Sequence, residues 1–203
     1  MPRPRDVDKL AARKARLERH ATETDPDVVL NAAARFLEAR QRSVHEVRRH
    51  LAASSYPEPL VERAVERLLE LRMLDDETFA RSWIESRDRA HPRGQQALRR
   101  ELFLKGVDRA TIETVFEARA RSAAEAAEGP DEEADIAGRG SADAQAAARL
   151  LARRSAALAR IEDLRARRQR AYALLARNGF DAEVCREASV RFVNALEDEQ
   201  PFD

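Results

Sequence analysis

The chain has 203 residues, of which 36% are charged and only 5% aromatic, and its 37 basic side chains balance its 37 acidic ones. That length allows one or two ordinary domains, and a composition rich in Ala, Leu, Arg and Glu with few Gly and Pro favours helix over strand. One cysteine, Cys185, excludes an internal disulfide and any cysteine-based metal site; no apolar run approaches the ~20 residues that span a bilayer, so a cytoplasmic all-α protein without membrane contact is expected.

Residues 1–24 carry seven basic and four acidic side chains and read as a basic tail, disordered or only partly helical. Folded structure is expected from Thr24-Asp25-Pro26, where a capping residue precedes a proline at the first helical position. Val29, Ala33, Phe36 and Leu37 give the first apolar stripe. Ser43, with Glu46 three residues on, starts a second helix in a capping-box pattern. A third runs from about Glu58 with Leu60, Val61, Ala64, Val65, Leu68 and Leu69 on one face. The pattern then recurs: Asp75-Asp76-Glu77 opens a helix with Phe79 and Trp83, a second spans about Gly94 to Lys105, and Asp108 caps a third with Ile112, Val115 and Phe116. Gly106 stands where a left-handed helix stop is usual. Residues 121–142 are acidic and rich in Ala and Gly, and read as a linker or frayed helix extension. A last set follows: Ala144 to about Ala157, Ile161 to Asn178, and Asp181 to about Leu196.

The resulting fold class is all-α, an elongated tandem array of three three-helix repeats at 25–73, 74–120 and 143–197, with an acidic tail at 198–203. The repeat is explicit in Leu51-(x)4-Tyr56, Leu102-(x)4-Val107 and Leu175-(x)4-Phe180, each a leucine at a helix end, a turn, and an apolar residue opening the next helix. Gly106 and Gly179 match in register, and Ser55 takes their place in the first repeat. Tandem stacking suits a chain whose helices each bring little apolar material, because neighbours cover what one unit leaves bare.

Few residues suggest catalysis. The Asp75-Asp76-Glu77 triplet is explained by helix capping and the helix dipole rather than by a metal. His20, His45, His50 and His91 are scattered, and no nucleophile elbow or phosphate loop is present. No enzyme activity, cofactor or metal is expected.

The arginines are more informative. They number 34 of the 37 basic residues, the lysines being Lys9, Lys14 and Lys105. Arg42, Arg48 and Arg49 lie in the same register as Arg93, Arg99 and Arg100, 51 residues on. From Arg149 to Arg177 nine arginines meet only Glu162 and Asp163, which leaves a basic surface short of partners. The candidate interaction residues are therefore Arg42, Arg48, Arg49, Arg93, Arg99, Arg100, Lys105, Arg165, Arg168 and Arg170. Phe79 and Trp83, four apart, are either inter-repeat core or a partner hot spot.

The order Leu74-Asp75-Asp76-Glu77-x-Phe79-Ala80, Pro92-Arg93-Gly94, Leu98, Glu101-Leu102, Lys105-Gly106-Val107 and finally Gly179-Phe180 resembles the RecX family of regulators, from about residue 28 to 196. Two departures stand out: Ser55-Tyr56 replaces the usual Gly-aromatic pair, a turn expected to be reshaped by Pro57, and about 22 residues are inserted before the third repeat. The resemblance implies a monomeric, non-enzymatic protein of DNA repair, homologous recombination and the SOS response. It implies binding in the groove of the RecA–DNA filament, single-stranded DNA being reached directly or within the filament, and modulation of the recombinase by inhibition. The alternative is a helix-turn-helix-like DNA-binding module acting without RecA.

Overall fold

A computed structural model describes residues 4–127 and 141–198. Among these it contains eleven helices: α1 (Pro4–Ala21), α2 (Pro26–Glu38), α3 (Val44–Ala53), α4 (Glu58–Glu70), α5 (Asp76–Ala90), α6 (Gln95–Leu104), α7 (Arg109–Ala127), α8 (Ala142–Ala152), α9 (Ser155–Ala159), α10 (Leu164–Arg177) and α11 (Ala182–Asp198). They form an all-α array of three-helix repeats: α2–α4, α5–α7, and α8 with α10 and α11. The chain divides into two compact units, one running to Phe79 and including Lys105–Val107, the other comprising Ala80–Leu104 and the residues from Asp108 on.

In the first unit the core is Val29 and Ala33 of α2, Val47 and Leu51 of α3, Val61, Ala64, Val65 and Leu68 of α4, and Leu74. The helix starts follow their caps. Asp25 accepts from the Asp27 N–H and Ser43 Oγ from the Glu46 N–H. Glu46 does not complete the reciprocal box; its carboxylate binds Lys105 Nζ at 2.7 Å and Arg40 at 3.2 Å.

Two expectations need correction here. The segment read as disordered or only partly helical is helical over Pro4–Ala21, α1, whose Ala, Arg, Lys and Leu residues are strong helix formers. It is pinned near its C-terminus: His20 Nδ1 donates to the Ser54 carbonyl at 2.9 Å, and its ring stacks on Tyr56 at 4.2 Å. The Ser55 turn, moreover, is not reshaped by Pro57. Ser55 adopts φ +64°, the left-handed conformation that Gly106 and Gly179 hold at +81°. The Tyr56 N–H closes back on the Leu51 carbonyl at 3.3 Å, as the Phe180 N–H does on Leu175 at 3.4 Å. This is the helix-ending motif in which a residue beyond the stop bonds five positions back.

In the second unit Ala80, Ile84, Leu98, Leu102, Ile112, Val115 and Phe116 are buried. A further cluster joins Ala146, Ala147, Leu151, Leu158, Ala171, Leu175, Phe180 and Cys185. The single helix expected over 144–157 is instead α8 and α9, broken at Arg153-Arg154. There the Arg153 guanidinium reaches the Ala90 and Arg89 carbonyls and completes the C-terminus of α5. Arg167, 6% exposed, reaches the end of α9 in the same way, donating Nη2 to the Ala159 carbonyl at 3.4 Å and Nε to the Ile161 carbonyl just beyond it at 2.9 Å. The acidic segment at 121–142 continues α7 at its start and opens α8 at its end; residues 128–140 lie outside the described residues.

Candidate interaction surface

The repeats are joined by a device that recurs. The Val44 N–H at the start of α3 donates to Asp76 Oδ1 at 2.9 Å, so a carboxylate from the first turn of α5 caps the middle helix of the repeat before it. The Gln95 N–H at the start of α6 donates to Asp143 Oδ2 at 3.0 Å, and Asp143 belongs to the first turn of α8. Ser43 Oγ donates to the Lys105 carbonyl at 2.6 Å; its register mate, the Gly94 N–H, donates to the Asn178 carbonyl at 3.0 Å.

Glycine is required where these turns meet the preceding helix. A Cβ on Gly106 would lie 2.2 Å from His45 Cβ, and one on Gly179 would lie 2.4 Å from Ala97 Cβ. Asp143 is 8% exposed. Burial pushes its carboxyl above the ordinary carboxylate range against the pull of the Gln95 N–H and Arg119. Arg119 binds Asp143 at 3.3 Å and Asp88 at 3.0 Å, so the buried charge is paired and bonded on both oxygens.

On this frame the candidate arginines separate into three kinds. Arg48 and Arg99, register mates, close their own repeats: Arg48 chelates Glu62, with Nε and Nη2 at 2.9 and 2.8 Å, and Arg99 binds Glu113 at 2.6 Å. Arg42 and Arg93, also register mates, are half-buried. Arg42 lies over the Phe36 ring at 4.1 Å, and Arg93 donates to Asn178 Oδ1 at 2.9 Å. Lys105 is likewise engaged, by Glu46. These five side chains each have a partner within the chain, which leaves fewer unengaged cations than register alone suggests.

The third pair, Arg49 and Arg100, is exposed, and among the described residues neither has an ion-pair or hydrogen-bond partner for its guanidinium. Beside Arg100 the same face of α6 exposes Phe103 (69%) and Leu104 (71%). Phe79 is core at 3% exposure. Trp83 is half-buried, donating Nε1 to Glu101 at 2.9 Å with Arg87 over its ring at 4.5 Å.

In the third repeat Arg165 and Arg168 line an open depression of about 420 Å³ together with Gln169, Tyr172, Arg186 and Val190. Arg170 is exposed on the same helix, outside that lining. Tyr172 and Arg186 are not marked by the arginine register; the 73-residue step from Gly106 to Gly179 is the sequence signal that reaches them. Among the described residues no group of three His, Cys, Asp or Glu is placed to hold a metal, and no helix is long and apolar enough to cross a membrane.

The family model for the first three-helix domain of RecX matches residues 30–68, and that for the second matches residues 75–115. The chain belongs to the RecX family. The chain is 40% identical to the Regulatory protein RecX of Halalkalibacterium halodurans over 91 residues, 45% of this chain and 34% of that relative. It is 40% identical to the RecX of Prosthecochloris aestuarii over 86 residues, 42% of this chain and 57% of that relative. The matching parts thus span from about a third to somewhat over half of these relatives' lengths. The crystal structure of RecX from Lactobacillus salivarius shares the fold, with a TM-score of 0.64 at 15% identity, over 84% of this chain and 97% of that one. That likeness reaches the third repeat, which neither family model matches. Both relatives carry the name regulatory protein RecX.

Proposed function

We propose that this RecX protein binds the RecA–DNA filament and restrains the recombinase, without catalysing a reaction of its own. The observation that carries the reading is the pair Arg49 and Arg100. The same position of consecutive repeats keeps an exposed cation without a partner, while the arginines beside it are consumed inside each repeat. A filament repeats its own surface, and a modular protein matches it with several weak contacts. Each exposed contact contributes only about 0.5–1 kcal/mol, but contacts on one scaffold gain by effective concentration. Occupying the filament groove in this way blocks subunit addition or strand exchange by steric and electrostatic means. Phe103 and Leu104 supply apolar area beside Arg100, the pairing of cation and anchor that interfaces favour.

The test is co-sedimentation with RecA filaments, with single-stranded DNA alone as the control. The chain is expected in the pellet with filaments at stoichiometric, salt-sensitive occupancy. A chain that stays in the supernatant with filaments overturns the reading.

A further inference from the structure

The third repeat departs from the other two at one structurally defined place. In the first repeat Arg48 of α3 binds Glu62 of α4, and in the second Arg99 of α6 binds Glu113 of α7. A step of 73 residues carries Gly106 onto Gly179, Leu98 onto Ala171 and Ile112 onto Cys185. All but the glycines are buried, so the frame is the same on both sides. The same step carries Arg99 onto Tyr172, Glu113 onto Arg186 and Glu117 onto Val190. The ion pair that closes the first two repeats is therefore absent from the third. Its carboxylate position holds a guanidinium, and a second acid is replaced by valine.

What takes the place of the clamp is the depression between α10 and α11, about 420 Å³, with Arg165, Arg168 and Arg186 around Tyr172. Among the described residues none of these three guanidinium groups has an ion-pair or hydrogen-bond partner. Of the nearby acids, Asp163 caps α10 through the Arg165 and Ala166 N–H groups, and Glu187 pairs with Arg191 at 3.2 Å. Gln169 adds a donor and acceptor to the lining.

We propose that this depression is a binding site for single-stranded nucleic acid. The three arginines take consecutive phosphodiesters, and Tyr172 offers its ring to a base. Guanidinium groups bind phosphate oxygens bidentately, and one aromatic ring set among cations in an open groove is the arrangement that holds unpaired strands without reading sequence. An acidic protein surface would satisfy the charges but leave the ring without a planar partner. The site acts on nucleic acid directly and goes beyond the filament reading. It is tested without recombinase, so either can fail alone.

The experiment is fluorescence anisotropy of a labelled oligothymidylate with the full chain, titrated over a range of salt. Saturable binding is expected, with log affinity falling against log salt at a slope of about −2, near −0.7 for each of three phosphates. The decisive variant is Tyr172→Arg with Arg186→Glu, which rebuilds the ion pair of the other repeats. It is expected to keep helicity and thermal midpoint and to lose at least tenfold in affinity. Arg165→Glu is expected to lose affinity in the same assay, and Tyr172→Leu to lose affinity with the salt slope unchanged. Equal affinity of the rebuilt variant and the wild type overturns the site. Equally tight, equally mutation-sensitive binding of polyglutamate overturns the nucleic-acid assignment in favour of an acidic protein surface.

Discussion

At the scale of single residues, the three turns that end α3, α6 and α10 make the same demand and meet it differently. Ser55 holds φ +64°, where a Cβ costs an L-residue about 1–2 kcal/mol. Ser55→Gly should therefore raise stability by about 0.5–1 kcal/mol, part of the relief being offset by the freer unfolded chain. A rise in the urea midpoint with unchanged slope checks it. Gly106→Ala should cost about 2 kcal/mol or more, since strain in the turn adds to the 2.2 Å approach to His45; an unchanged midpoint contradicts the close packing.

These stops were legible from sequence because Gly at a helix end has a local cause. The left-handed Ser55 was less so: only its register with Gly106 and Gly179 pointed to it. Two titrating groups of the first unit, His50 and Glu46, contribute to its acid response. Burial, then the neighbouring Arg42, hold the His50 imidazole below its ordinary value, so the unfolded chain takes up the proton first. Stability falls as pH drops below about 6.5. For Glu46, burial pushes the carboxyl up, but the bonds from Lys105 and Arg40 outweigh it and hold it low. Its contribution is complete above the ordinary carboxylate range and is lost as pH falls beneath it. Urea midpoints of His50→Gln across about pH 7 to 3 should lose the upper of these two declines and keep the lower.

At the scale of elements, the helix starts were readable and the joints between repeats were not. Asp25, Ser43, Asp108 and Asp163 each cap the helix that follows them, a relation confined to three residues. Asp76 and Asp143 each cap a helix dozens of residues upstream, and no local pattern announces that. The Asp75-Asp76-Glu77 triplet shows the limit: Asp75 serves α5 through the Glu77 N–H and the Thr78 hydroxyl, as read, while Asp76 serves α3. Likewise α8 and α9 read as one helix because Arg153 finds its acceptors on α5, far away in the chain.

Asp143→Ala removes the acceptor at the start of α6 and one of the two carboxylates that hold Arg119, which keeps Asp88. It should cost about 1–2 kcal/mol, read by chemical denaturation. Asp143→Asn keeps an acceptor for Gln95 and should lose less. Equal losses for the two variants would place the whole effect in the Arg119 pair.

At the scale of the molecule, the repeat plan is clear in the sequence, while the partners of its arginines are not. Register identified three pairs of arginines, but whether a cation faces its own repeat or solvent depends on what stands 14 residues away: Glu62 for Arg48, Glu113 for Arg99. The pair with no such acid, Arg49 and Arg100, remains for a partner. Exposed ion pairs contribute little to folding, so reversing the charge of these two should leave the thermal midpoint unchanged while removing two filament contacts. At about 0.7 kcal/mol each, their loss amounts to roughly a tenfold change in affinity.

The most direct measurement is RecA-driven ATP hydrolysis on single-stranded DNA, titrated with the wild-type chain and with Arg49→Glu/Arg100→Glu. The wild type should suppress hydrolysis, and the variant, equally helical, should need roughly tenfold more protein for the same suppression. A wild type that leaves hydrolysis untouched, or a variant that suppresses it at the same concentration, would contradict the account.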